Sequence, residues 1–115
     1  METTDVRKFQ SRTFEAVRVL AFFKAKLGVG GELEKILLTL VPLTRSEPGN
    51  IAYVLHRSTE NPNELVFDEI FASYNAFEEH GQKPYIKSLG SKLEHLISAP
   101  VKVETYSEIA VQSLS

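Results

Sequence analysis

The stretch IAYVLHRSTENPNELVFDEIF, residues 51–71, decides the fold. Ile51 to Arg57 and Leu65 to Phe71 are rich in β-branched and aromatic residues, which suit pleated strands. Between them, Ser58 to Glu64 holds two asparagines flanking Pro62, the chemistry of a hairpin-type connection. Upstream, Leu33, Ile36, Leu37, Leu40 and Val41 fall at i, i+3, i+4 and i+7, the apolar stripe of a helix opening near Glu32. Pro42 should bend or tighten its last turn, and Glu47-Pro48-Gly49-Asn50 should end it. Further upstream, Ala16 to Lys26 reads as a strand, broken by Leu27-Gly28-Val29-Gly30-Gly31.

Downstream of the hairpin, Ser73 suits the N-cap of a short helix through His80, with Gly81 as its C-terminal cap. Pro84 opens a further helix with the stripe Ile86, Leu89, Leu93, Leu96 and Ile97. Pro100 ends that run, and Val101 to Tyr106 reads as a fourth strand. The order is strand, helix, strand, strand, helix pair, strand. This predicts an α+β fold of ferredoxin-like split βαβ type, a four-stranded antiparallel sheet with helices on one face. The domain is expected over 15–115, preceded by a polar N-terminal arm at 1–14.

Alternation along the strands raises a problem of coverage. One face carries Val17, Val19, Ala21, Phe23, Phe67 and Phe71, and the other carries Leu20, Phe22, Ala52, Val54, Val66 and Ile70. Helices on one side cover only one of these faces, and a sheet facing water would be polar on its outer side. A second copy of the chain, as a homodimer, is the expected cover; the arm folding back is the alternative.

Composition narrows the function classes. The chain has 115 residues, 43% of them hydrophobic and 24% charged, enough for one domain with a buried core. Its net charge of −2 is unlike the basic footprint that neutralises phosphates, so nucleic acid is not an expected partner. No apolar run is long enough to span a bilayer, and the first residues lack the apolar centre of a signal peptide, so the expectation is a cytoplasmic protein without a membrane partner. With no cysteine there is no disulfide and no thiolate chemistry. His56, His80 and His95 share no ligand spacing, so no metal site is expected.

Three segments carry a resemblance. Arg45-Ser46-Glu47-Pro48-Gly49-Asn50-Ile51-Ala52-Tyr53, then Phe67-Asp68-Glu69-Ile70-Phe71, then Ala76-Phe77-Glu78-Glu79-His80 resemble the antibiotic biosynthesis monooxygenase domain. Its pattern runs R-x-E-x-G-C-x-x-Y, a strand with E-x-W or E-x-F, then A-x-x-x-H followed by T-x-H-F. Gly28 falls at that family's turn glycine, and the likeness covers roughly Val17 to Ile109. It implies a ferredoxin-like protomer in a dimeric α+β barrel, with a small pocket between sheet and helices. It also implies oxygen chemistry on quinols or aromatic polyketides without metal or flavin; other members degrade haem or isomerise a phosphorylated signalling sugar. Departures that bear on the site are Tyr85 in place of the second histidine, Ile86 in place of the phenylalanine after it, and Phe71 in place of the common tryptophan. The haem-degrading branch needs that tryptophan and a first-strand asparagine, where this chain has Ala21, which points away from haem.

Individual residues carry two readings each. His80, at a helix C-terminus, is either a cap satisfied by carbonyls or, following the resemblance, a general base facing the pocket. Glu69 shares a strand face with Phe67 and Phe71, so its carboxyl should be ion-paired, with Arg45 or Arg57, or else raised in pKa. Arg45 and Glu47 read as ties between helix and strand. Tyr53 and Tyr85 could donate phenolic hydrogen bonds to a substrate oxygen, or satisfy themselves in the core. Phe23, Phe67, Phe71 and Phe77 are core residues and candidate pocket walls. His56 reads as a strand residue at the dimer face or sheet end, and His95 as solvent-exposed. The expected function is a cofactor-independent monooxygenase acting, with molecular oxygen as co-substrate, on a small aromatic ligand of quinol or polyketide type. The alternatives are a non-catalytic small-molecule-binding or stress-response module of the same fold, and an isomerase of a phosphorylated signalling sugar.

Overall fold

Alternation and helical periodicity become four strands and four helical segments in the computed structural model, which describes residues 15–109. Strand β1 spans Val17–Lys24, helix α1 Gly30–Arg45, strand β2 Asn50–Arg57 and strand β3 Glu64–Phe71. Helices α2 (Tyr74–Gln82), α3 (Pro84–Lys87) and α4 (Leu89–Leu93) precede strand β4, Lys102–Ser107. The sheet order is β2-β3-β1-β4 with every neighbouring pair antiparallel, the expected split βαβ arrangement. The expected arm at 1–14 lies outside the described residues, as does the end of the chain from 110.

The alternation is strict where the helices lie. Val17, Val19, Ala21 and Phe23 of β1 and Leu65, Phe67, Glu69 and Phe71 of β3 are all buried. Helix α1 lays Leu33, Leu37 and Leu40 onto this face, with Ile36 and Val41 partly buried at its flanks. The turn after β1 needs Gly28, whose φ of 89° lies in the left-handed region that L side chains avoid. In β2 the pairing slips between Asn50 and Ala52, leaving Ile51 as an extra, exposed residue. The resulting bulge sets Tyr53 opposite Glu69 on the helix face.

Two local expectations are corrected. Helix α2 continues past His80 to Gln82, so Gly81 is an interior residue and Lys83, in extended conformation, ends the helix. Pro84 opens α3 as expected, but the stripe is not one helix: Ser88 ends α3 and begins α4, so Ile86 lies on α3, Leu89 and Leu93 on α4, and Leu96 and Ile97 beyond it, where Ile97 bridges to Ala25. The Ser73 cap is present, its hydroxyl accepting from Ala76 N at 3.1 Å.

Candidate active site

Two motifs face each other across the packing of α2 on the end of α1. In the first, Arg45 closes α1 and donates from Nε (3.1 Å) and Nη2 (2.9 Å) to the Tyr53 carbonyl, tying the helix end to β2. Two residues on, Glu47 is buried, and its Oε2 lies 2.9 Å from His80 Nδ1 on α2. Gly49 completes the set: a β-carbon there would lie 2.4 Å from the Ala76 β-carbon. The spacing Arg45-x-Glu47-x-Gly49 thus matches Ala76-x-x-x-His80. Glycine permits the close approach, and the approach brings carboxylate and imidazole into contact.

A Glu47 carboxylate at Nδ1 favours the His80 tautomer that donates Nδ1–H to it, which turns Nε2 to the other side of the ring. The ring is wedged between Phe71 (centroids 4.9 Å apart) and the edge of Tyr53 (5.7 Å), which limits its rotation. Nε2 lies 4.0 Å from a carboxyl oxygen of Glu69. Both residues line a cavity of about 370 Å³ between sheet and helices, with Phe23, Phe67 and Tyr53 in its walls. Tyr53 stacks on Phe67 with centroids 4.3 Å apart. Burial raises the Tyr53 phenol well above the ordinary tyrosine range, with the Glu69 charge adding to it, so it stays a neutral donor.

Among the described residues Glu69 meets no arginine. Arg45 is spent on the Tyr53 carbonyl and Arg57 is paired with Glu34, so neither forms the expected ion pair, and the other option, a raised pKa, holds. Burial first, then the negative charges of Glu47 and Asp68, push its pKa up to about 8.

Tyr85 and Phe71 are not in the cavity wall, contrary to expectation. The Tyr85 hydroxyl donates to Glu47 Oε2 at 2.5 Å, behind His80, because α3 carries it toward the end of α1. Burial and the Glu47 carboxylate push its pKa up to about 12. Phe71 backs the His80 ring, fully buried. His56 is exposed on β2, and His95 is exposed on the surface as expected. Among the described residues no three His, Asp or Glu side chains gather as metal ligands. Sequence reasoning missed Glu47 as the partner of His80; the matched spacing of the two motifs was the available signal.

The profile of the antibiotic biosynthesis monooxygenase family matches residues 16–89. The chain belongs to that family. A protein of Shewanella oneidensis of known structure is 33% identical, with 82% of this chain and 91% of that chain aligned at a TM-score of 0.78. A Mycobacterium tuberculosis protein is 27% identical over 86% of this chain and 100% of that one, at a TM-score of 0.80. A proposed antibiotic biosynthesis monooxygenase from Caulobacter crescentus is 25% identical, covering 90% and 99%, at 0.77. An uncharacterized Synechocystis protein is 29% identical over 76 residues, which span 66% of this chain and 52% of that relative's length. In this chain the Glu47–His80 contact joins the two motifs: one supplies the carboxyl that orients the other's histidine.

Proposed function

We propose that the chain is a cofactor-independent monooxygenase of a small, electron-rich aromatic substrate, such as a quinol or an anthrone, working as a homodimer. The observation that carries this is His80: its Nδ1 is held by a buried carboxylate, and the residue lines an apolar, aromatic-walled cavity. A flat apolar ring suits such a cavity. His80 takes an acidic C–H or O–H proton, and the resulting anion is electron-rich enough to react with oxygen directly. The substrate supplies all four electrons: an anthrone methylene becomes a carbonyl, one oxygen atom enters the product and the other leaves as water. The protein deprotonates, orients and shields.

Tyr85 in place of the family's second histidine does not weaken this reading, since its phenol braces Glu47 and so the base. The alternative isomerase of a phosphorylated sugar lacks a counter-charge among the described residues, none of whose Lys or Arg side chains lines the cavity. Oxygen uptake over a panel of quinols and anthrones tests the proposal. The His80→Ala variant should turn over about 100-fold or more slowly while staying folded. A panel that binds but is not consumed would support the binding module instead.

A further inference from the structure

We propose that Glu69 is a second catalytic residue, exchanging protons with the substrate in alternation with His80. This rests on the oxygenase reading above. Glu69 sits mid-strand in β3, opposite Val19 on one side and Tyr53 on the other, at the floor of the cavity. Its side chain is 5% exposed, and among the described residues its carboxyl takes part in no hydrogen bond; His80 Nε2 lies 4.0 Å from it. A carboxyl that holds nothing in the fold, buried among Ala21, Phe67 and Phe71, weakens the core it occupies. Its use is at the cavity, where an occupant would lie against both it and His80.

The proton cycle closes with these two groups alone. His80 Nε2 removes a methylene proton, and the carbanion bonds to oxygen, giving a peroxide anion. The Glu69 acid protonates that anion, leaving a hydroperoxide, a carboxylate and an imidazolium. The Glu69 carboxylate then takes the remaining proton on the same carbon while the O–O bond breaks, and its electron pair leaves with hydroxide. The imidazolium protonates the hydroxide to water. Carbonyl product and water are formed, and both residues return to their starting states with no external reductant.

The test uses the intact chain with anthrone as probe. Anaerobic hydrogen–deuterium exchange at the methylene, followed by NMR, reads His80; aerobic formation of the carbonyl product reads the whole cycle. In Glu69→Gln, exchange should stay within threefold of wild type, carbonyl product should form about 100-fold more slowly, and anthrone hydroperoxide should accumulate. Glu69→Asp, which keeps the acid, should regain part of the lost product formation. Carbonyl formation in Glu69→Gln at the wild-type rate, with no hydroperoxide, overturns the role of Glu69 alone. Equal losses in Gln and Asp variants reassign Glu69 to shaping the cavity, which also overturns it. A wild type that neither exchanges nor consumes oxygen overturns the oxygenase reading, and this proposal with it.

Discussion

At the scale of single residues, the site is a set of buried ionisable groups whose states follow from their neighbours. Glu69 is the sharpest case. Its pKa rises from the ordinary 4.5 to about 8, so the folded chain binds this proton more tightly than the unfolded chain. The contribution to stability is therefore greatest below about pH 4.5 and is lost as pH rises through about 8. The groups facing it are His80 on α2, Tyr53 on β2 and Asp68 beside it, with Glu47 and Tyr85 behind His80; both tyrosines stay neutral in this window. Thermal melts between pH 5 and 9 should show Glu69→Gln gaining on wild type as pH rises, toward a limit of about 5 kcal/mol. A constant difference across that range would mean that Glu69 is already ionised in the folded protein.

At the scale of elements, the site depends on how closely α2 can approach the turn between α1 and β2. Gly49 sets that distance, because an added β-carbon would overlap Ala76. Gly49→Ala should cost about 1–3 kcal/mol and lower the melting temperature. Adding Ala76→Gly to that variant removes the overlapping methyl and should restore part of the loss, less the cost of about 1 kcal/mol for glycine within a helix. No restoration in the double variant would show that the clash is not the cause. The sequence signalled this glycine through its motif spacing and the Pro48-Gly49 stop, yet its steric role appears only once Ala76 is packed against it. Gly81 shows the opposite. It looked like a helix cap, but Lys83 N–H caps on His80 O and the helix runs on.

At the scale of the whole molecule, the second face of the sheet carries the argument. Phe22 and Val54 are more than a third exposed there, and Phe22 pairs across to Val66, with Leu20 and Ile70 half-buried nearby. Flanked by the Arg18–Asp68 and Lys24–Glu64 ion pairs on the same face, this apolar patch fits a two-fold partner of its own kind. Sedimentation should find wild type as a dimer and Phe22→Glu as a monomer; a monomeric wild type would sink the idea. The order of the elements, the buried alternation of β1 and β3 and the candidacy of His80 were all legible in the sequence. Each depends on periodicity or local chemistry within a few residues. The partners within the site were not legible in that way. Glu47 meets His80 from 33 residues away, Arg45 turns to the Tyr53 carbonyl rather than to Glu69, and α3 sends Tyr85 behind the histidine rather than into the cavity. Those outcomes depend on helix packing and on which polar group reaches a buried charge first, which only the assembled tertiary structure decides.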